Sequence, residues 1–239
     1  MFCPVCQGLA QRTKTVLRGP GNSIIYRITR CPACDLHFDL RASVVNPIAD
    51  LIAQSRVSAT YFKPMFDESK FYVELETNQV MVQHMLAMCQ SREVFVEIGV
   101  GLGLLTRAVA PSFERAYGLD LEIESALSLG RIPDNLRFLE HEAFFTEIQA
   151  PICALCAWHV LEHLPRPHAV LGPLFDRMNA GAVFFGQVPL YSEAYVMDSH
   201  FVFYTEQALM RLCGAQGFSP IYFERDEVND FLSFAFRRS

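Results

Sequence analysis

A glycine-rich segment at residues 99–103 directly follows a mostly apolar stretch at 94–98. Residues 94–103 read VFVEIGVGLG, with glycine at 99, 101 and 103. Glycines let the backbone turn sharply and approach a ligand closely, beside the N-terminus of a following helix. Leu104 stands where the dinucleotide-binding fingerprint has its third glycine, so the segment departs from the NAD pattern. It predicts a ligand-binding loop.

Two carboxylates accompany this loop. Glu97 stands two residues before Gly99, where it can face a cationic or ammonium-bearing ligand. Asp120 ends the next apolar stretch, and a carboxylate at that position can accept hydrogen bonds from two ribose hydroxyls. Glu97, Gly99, Gly101 and Asp120 together predict a site for a nucleoside-containing cofactor.

Four of the 8 cysteines form two matched motifs, at residues 3–6 (CPVC) and 31–34 (CPAC). Two thiolates three positions apart can bind one edge of a tetrahedral Zn²⁺ ion, and the second motif supplies the other edge. Four thiolates close the coordination shell, which is typical of a structural site. The predicted zinc ligands are Cys3, Cys6, Cys31 and Cys34, with His37 as a possible substitute. Between the motifs, a Gly-Pro-Gly-Asn turn at 19–22 predicts a hairpin, so this part is interpreted as a zinc ribbon.

Composition and charge restrict the function classes. Hydrophobic residues make up 51% of the 239 residues and charged residues 19%, which is typical of a globular protein. Residues 1–46 carry six basic and two acidic side chains, a net charge of +4, whereas the remainder carries 14 basic and 24 acidic ones. The resulting −10 argues against a nucleic-acid-coating surface. No signal peptide and no apolar run of about 18 residues is found, so we expect a cytoplasmic protein without a membrane span.

The order of apolar and amphipathic stretches predicts an α/β fold. We expect a zinc ribbon at 1–46, a helical cap or linker at 47–92 (helices Pro47–Gln54 and Tyr72–Cys89), and a cofactor-binding domain at 93–239. Strands alternate with helices from residue 93, which indicates a parallel sheet covered on both faces. The predicted strands are Val94–Ile98, Arg115–Leu119, Leu136–Leu139, Ile152–Trp158, Ala182–Val188, Phe218–Phe223 and Phe231–Phe236. The last two suggest an antiparallel hairpin at the sheet edge.

Three segments of the chain resemble the class I S-adenosylmethionine-dependent methyltransferases. They are residues 97–103 with Asp120, the run AWHVLEHLP at 157–165, and the Gly-x-x-Pro sequence at 186–189, which is similar to small-molecule methyltransferases. A four-cysteine ribbon before such a domain resembles the sugar C-methyltransferase type. The resemblance implies a Rossmann-like sheet of seven strands with the last one antiparallel, S-adenosylmethionine as cofactor, and a small-molecule acceptor.

The resemblance also implies which residues surround the cofactor. Glu97 would face the methionine ammonium group, and Asp120 would bind the ribose. The remaining contacts would come from Gly99 and Gly101 along the cofactor, Leu121, Glu142, Ala143 and Phe144 around the adenine, Trp158 and His159 near the methionine and the transferring methyl, and Tyr61 and Tyr72 above the pocket.

Methyl transfer to a hydroxyl or a carbon acid also requires a base. The candidates are His200 and Tyr191, which follow the fifth strand of the predicted domain, and His159, which follows the fourth. The alternative for His200 is a histidine that only caps its loop.

Three functions are compatible with the sequence. The first is transfer of a methyl group to a carbon or oxygen atom of a sugar, lipid or secondary metabolite. The second is methylation of rRNA or tRNA bases by an enzyme that also carries a zinc module, against which the −10 charge argues. The third is a scaffold that binds the cofactor without catalysis, against which the intact Glu97, glycines and Asp120 argue.

Overall fold

The structure is a computed structural model and describes residues 1–18, 23–43 and 81–239. Its centre is a run of parallel strands whose side chains are almost all buried. The parallel strands are β4 (Val94–Ile98), β5 (Arg115–Asp120), β6 (Leu136–Glu140), β7 (Ile152–Trp158) and β8 (Met178–Pro189). Val94 and Val96 belong to one apolar cluster and Phe95 to another. Because alternate residues of a strand point to opposite faces, both faces of this sheet are covered.

Two further strands complete a seven-stranded sheet within the described residues. They are β10 (Phe218–Asp226) and β11 (Phe231–Arg238), joined by a short turn. The strand order is β10-β11-β8-β7-β4-β5-β6, and β11 runs antiparallel to both of its neighbours. The predicted α/β sheet with an antiparallel last strand is therefore confirmed.

Six helices lie within the described residues. They are α1 (residues 81–88), α2 (Leu104–Val109), α3 (Glu124–Leu127), α4 (Phe144–Glu147), α5 (Pro167–Phe175) and α6 (Glu206–Gly214). The N-terminus of α6 is capped by Thr205, whose hydroxyl accepts the N–H of Ala208 at 3.2 Å. The predicted helix at 47–54 and most of the one at 72–89 lie outside the described residues. No helix in the described ranges is both long and apolar enough to cross a membrane.

A second, smaller sheet joins the N-terminal segment to the rest of the molecule. It consists of β1 (Gln11–Arg18), β2 (Ile24–Arg30), β3 (His37–Asp39) and β9 (Val202–Phe203), in that order. In β9, Val202 pairs with Phe38 and Phe203 pairs with His37. Cys3, Cys31 and Phe38 belong to the same apolar cluster as Val202 and Tyr204. The N-terminal segment therefore packs directly against the larger domain.

Candidate active site

The glycine loop connects β4 to α2 at the carboxyl edge of the large sheet. Gly99, Gly101 and Gly103 have φ angles of 68°, 52° and 71°, in the left-handed region that favours glycine. A Cβ atom on Gly99 would lie 2.3 Å from Cγ2 of Val160, so packing alone requires glycine there. A Cβ atom on Gly101 would meet no atom of the described residues within 4 Å. Among the described residues, the backbone at Gly101 therefore borders open space, as a loop that approaches a ligand must.

Glu97 lies at the end of β4 beneath this loop and is almost completely buried. The hydroxyl of Thr106, in the first turn of α2, donates to its Oε2 atom. Burial raises the pKa of Glu97 to about 8, and the charge of Asp120 acts in the same direction, whereas the Thr106 hydrogen bond opposes it. The side chain is therefore poised to ionise when a cation arrives beside it.

Asp120 ends β5 and is fixed by two backbone donors. The N–H of Gly101 donates to Oδ2 at 2.9 Å, and the N–H of Leu121 donates to Oδ1 at 2.7 Å. Burial nevertheless raises the pKa of Asp120 above its usual range. Each carboxylate oxygen retains a further acceptor position, so a vicinal diol can bind both.

A buried arginine that the sequence analysis missed holds the loop in place. The Arg107 guanidinium donates to the carbonyl oxygens of Leu102 at 2.8 Å and Leu129 at 2.6 Å, and it lies 4.8 Å from the ring centre of Phe138. It thereby joins the glycine loop to the segment after α3. An arginine four residues after the last glycine of the loop was the only sequence signal.

The residues predicted around the adenine differ in their exposure. Leu121 and Ala143 are half-buried, and Glu142 is exposed, all at the carboxyl ends of β5 and β6. Phe144 is 1% exposed and packs in the core, where the Arg177 guanidinium lies 5.4 Å from its ring centre. The side chain of Phe144 thus faces the protein interior. Tyr61 and Tyr72 lie outside the described residues.

His159 directly follows β7 and has a constrained backbone. Its φ angle is 53°, and its N–H donates to the carbonyl oxygen of Gln187 at 2.9 Å. Its Nδ1 atom lies 3.4 Å from Oε1 of Glu162, and its ring centre lies 4.7 Å from that of Phe231. Trp158, the preceding residue, is half-buried with its ring edge-on to His159. Glu162 is not among the site residues predicted above, although its i,i+3 spacing from His159 was a usable signal.

His200 lies on the same side of the large sheet as His159. Its Nδ1 atom donates to the carbonyl oxygen of Tyr195 at 2.8 Å, and its ring centre is 4.9 Å from that of His163. Burial, reinforced by the proximity of His163, lowers the pKa of His200 to about 4. At neutral pH the ring is therefore uncharged.

Tyr191, the third predicted catalytic residue, lies next to the small sheet. Its ring stacks on His37 with the ring centres 4.7 Å apart and the planes 1° from parallel. Its buried hydroxyl has no hydrogen-bond partner among the described residues. The ring of Phe203 lies between Tyr191 and His200, at 5.5 Å from the first and 6.2 Å from the second. The structure therefore brings His159 and His200 to one face and places Tyr191 at its margin.

The four N-terminal cysteines converge on one point. Their Sγ atoms all lie within 4.8 Å of one another, with Cys3 and Cys34 at 3.6 Å and Cys6 and Cys31 at 3.4 Å. Sulfur atoms around a tetrahedral zinc ion with bonds of about 2.3 Å are separated by about 3.8 Å. The spacing therefore fits a zinc ion. His37 is not part of this cluster.

The two cysteine motifs also share the same backbone geometry. The N–H of Gln7 donates to the carbonyl oxygen of Cys3 at 3.0 Å, and the N–H of Asp35 donates to that of Cys31 at 2.8 Å. Gln7 and Asp35 both have positive φ angles, of 60° and 59°. The Cys34 thiol lowers the pKa of Cys3 to about 5. Two equivalent turns thus present four sulfur atoms, at least one of them readily ionised, to a common centre.

Comparisons with known proteins agree with this fold. The family model described as a methyltransferase domain matches residues 76–222. The DhpI complex with SAM and HEP is 18% identical, with a TM-score of 0.59 over 81% of this chain and 99% of that one. Magnesium protoporphyrin IX methyltransferase (ChlM) from Synechocystis PCC 6803, with bound SAH, is 13% identical, with a TM-score of 0.54 over 69% of this chain and 83% of that one.

A third similar structure is the complex between the Haloferax volcanii Trm112 methyltransferase activator and its methyltransferase partner. It is 14% identical, with a TM-score of 0.56 over 71% of this chain and 94% of that one. No curated protein sequence matches the chain. The structural likenesses support the fold, and the family model covers more than half of the chain. The chain belongs to the methyltransferase domain family and is an S-adenosylmethionine-dependent methyltransferase with a Rossmann-like α/β fold.

Proposed function

We propose that this enzyme methylates a hydroxyl or an acidic carbon of a small molecule that carries no phosphate chain. The observation that carries the proposal is a connected set of rings on the side of the site beyond β7 and β8, here called the acceptor face. Its members are His159, Tyr191, Tyr195, His200, Phe203 and Phe231. His159, Tyr191, Tyr195 and Phe231 are partly exposed, whereas His200 and Phe203 are buried. Partly exposed aromatic rings can bind apolar or ring-shaped acceptors.

The charges beside the acceptor face support a small acceptor over RNA. Arg41 pairs with Asp39 at 3.1 Å and with Asp198 at 3.2 Å, and Lys14 pairs with Glu193. These two cations are thus already neutralised by carboxylates. A polyanionic backbone requires unpaired Lys and Arg side chains, because phosphate neutralisation supplies most of its affinity.

The cofactor would be held by the residues of the glycine loop and its carboxylates. Glu97 is suited to the methionine ammonium group, since a cation would stabilise its buried carboxylate. Asp120 is suited to the ribose hydroxyls, and Gly101 leaves room for close approach. Bound S-adenosylmethionine supplies an electrophilic methyl group on sulfur. Placement of the acceptor in line with that methyl is then the main task of the protein.

His159 is the residue that we propose as the base. The carboxylate of Glu162 faces its Nδ1 atom at 3.4 Å, which favours the tautomer with the proton on Nδ1. The Nε2 atom then keeps its lone pair and can take a proton from the acceptor. The charge of Glu162 also stabilises the imidazolium that forms. His200, whose ring is buried, and Tyr191, at the margin, would instead shape the acceptor face.

The N-terminal segment would hold a structural zinc ion through Cys3, Cys6, Cys31 and Cys34. Four thiolates leave no open coordination position, so this ion would take no part in chemistry. Because β9 extends the sheet of this segment, the ion would also stabilise the acceptor face next to Phe203. The division into a ribbon at 1–46, a cap at 47–92 and a catalytic domain at 93–239 stays a prediction.

A transfer assay with methyl-labelled S-adenosylmethionine tests this proposal. The acceptors are a panel of hydroxylated aromatic compounds, sugars and lipids, with total tRNA and rRNA as the competing class. We expect label in at least one small-molecule group and none in RNA, and labelling of RNA alone would contradict the proposal. The variant His159→Asn should lose transfer to the same acceptor, whereas His84→Asn, an exposed histidine on α1, should keep it.

A further inference from the structure

Three side chains with metal-binding atoms meet beside the acceptor face. One ligand atom from each of Glu162, His163 and His200 lies within 4.8 Å of the others. Glu162 and His163 belong to the 3-10 turn Leu161–His163 after β7, and His200 precedes β9. The N–H of Phe201 donates to the carbonyl oxygen of Glu162 at 2.8 Å, which fixes the two segments together. We propose that Glu162, His163 and His200 bind one divalent metal ion that activates the acceptor.

The two histidines are oriented for metal binding by backbone carbonyl groups. Nδ1 of His163 lies 2.7 Å from the carbonyl oxygen of Ser199, and Nδ1 of His200 lies 2.8 Å from that of Tyr195. A carbonyl oxygen only accepts, so each Nδ1 must carry the proton. Each Nε2 atom therefore keeps its lone pair. Metal-binding histidines are commonly fixed in this way, with the second ring nitrogen donating to a carbonyl or carboxylate.

Glu162 supplies the negative charge and an unpartnered oxygen. Its side chain is 1% exposed, and its Oε2 atom is buried without a hydrogen-bond partner among the described residues. Its other oxygen faces His159. A buried carboxylate oxygen without a partner is costly, and a bound cation removes that cost. The orphaned oxygen is the observation that distinguishes this cluster from histidines that merely pack together.

The ligand set indicates the kind of ion. Two imidazoles and one carboxylate suit first-row divalent ions such as Zn²⁺, Fe²⁺, Co²⁺ or Mn²⁺. Three protein ligands leave coordination positions open, as in catalytic sites, unlike the closed set of four cysteines. The two sites therefore differ in ligand type and in openness, and they can be loaded and counted separately.

The role of the ion rests on the proposed function. An acceptor hydroxyl that binds to the ion becomes more acidic, and its proton passes to Nε2 of His159. The acceptor oxygen then forms a bond to the methyl carbon as the carbon–sulfur bond breaks. The electron pair of that bond stays on sulfur, which becomes a neutral thioether. No further reactant is required, and His159 returns its proton to solvent.

Equilibrium dialysis of the zinc-loaded protein against Co²⁺ or Mn²⁺ tests the inference, with zinc counted separately by elemental analysis. We expect one additional ion per chain. The variants Glu162→Gln and His163→Gln should bind it at least about tenfold more weakly. His163→Gln can still donate to the Ser199 carbonyl group, which protects the fold. His84→Gln is the matched control, and it should bind the ion as the parent does.

Absence of a second ion in the parent protein, or equal binding by all variants, would overturn the inference. The melting temperature of the parent protein is a measurement that needs no variant. It should rise when Co²⁺ is added, and an unchanged melting temperature would also overturn the inference. A second ion without methyl transfer to any small-molecule acceptor would remove the proposed function and leave the metal site standing. Methyl transfer with no second ion would remove the metal site and leave the proposed function standing.

Discussion

The backbone N–H of Gly101 donates to Oδ2 of Asp120 over 2.9 Å. This bond joins the glycine loop after β4 to the carboxylate at the end of β5. The loop and Asp120, the residue proposed to bind the ribose, therefore keep a fixed relative position before any cofactor binds. Such preorganisation lowers the conformational cost of binding.

Replacement of Gly101 should affect the cofactor more than the fold. A Cβ atom at Gly101 meets no described protein atom within 4 Å, but it would occupy the space from which the cofactor approaches. Gly101→Ala should weaken S-adenosylmethionine binding at least about tenfold, with about 1–2 kcal/mol of lost stability from the left-handed backbone. Calorimetric titration and a thermal melt measure the two effects.

Gly217→Ala is the control for backbone strain. Gly217 has a φ angle of 78°, and a Cβ atom there also meets nothing within 4 Å. It precedes β10, which runs parallel to β8, so it lies at the sheet edge opposite the glycine loop. The control should lose similar stability and keep its affinity. Equal affinities for the two variants would contradict the assigned role of Gly101.

Binding of S-adenosylmethionine should release a proton from Glu97. Burial raises the pKa of Glu97 to about 8, so below that pH the cofactor-free side chain is mostly protonated. The cationic cofactor favours the carboxylate and lowers that pKa. The cofactor-free protein holds a proton on Glu97 that the complex lacks. The affinity for S-adenosylmethionine should therefore increase as the pH rises from 6 towards 8, by up to about tenfold per pH unit at the acid end.

Calorimetry in two buffers of different ionisation enthalpy counts the released proton. Glu97→Gln should release none and should show a flat pH dependence of the dissociation constant, while its amide oxygen still accepts from Thr106. A slope in Glu97→Gln equal to that of the parent would show that another group titrates.

His159→Asn should separate chemistry from cofactor binding. Asparagine tolerates the left-handed backbone at this position better than most residues, so the turn should persist. Loss of the base should lower kcat by about 10²- to 10³-fold and leave the dissociation constant of the cofactor within about twofold. An unchanged kcat would exclude His159 as the base.

Loss of one cysteine of the cluster should remove zinc and destabilise the small sheet. Cys31→Ser should reduce zinc from one ion per chain to less than half and lower Tm by about 5 °C or more. Because β3 pairs with β9, activity should fall as well. Cys89→Ser is the control, since its hydroxyl can keep the bond from Cys89 Sγ to the Met85 carbonyl oxygen. Full zinc content in Cys31→Ser would contradict the zinc assignment.

The parallel part of the large sheet was predictable because its strands are mostly apolar on both faces and are separated by helices and turns. Ile152–Trp158 has the bounds that the sequence indicated, since a strand buried on both faces shows as an unbroken apolar run. The sequence pattern predicts a helix over residues 122–129, but α3 covers only Glu124–Leu127, and Gly130, in a left-handed conformation, follows closely.

Pairing over long sequence distances was not predictable. β9 has only two residues and pairs with β3 more than 160 positions earlier, so no local pattern reports it. The approach of His200 to Glu162 depends on the same packing. Glu162 lies in the run at 157–165 that carries the family resemblance, but no role was predicted for it, because a carboxylate between two histidines in sequence looks like an ordinary polar turn. Only the fold shows that its side chain is buried and faces His159.

The central claim is that Glu97, Gly101 and Asp120 bind S-adenosylmethionine. Calorimetric titration of the parent protein and of Asp120→Ala with this cofactor tests it most directly. We predict one site per chain in the parent and at least about tenfold weaker binding in the variant, because two ribose hydrogen bonds are lost. No binding by the parent protein, or equal affinity in Asp120→Ala, would contradict the claim.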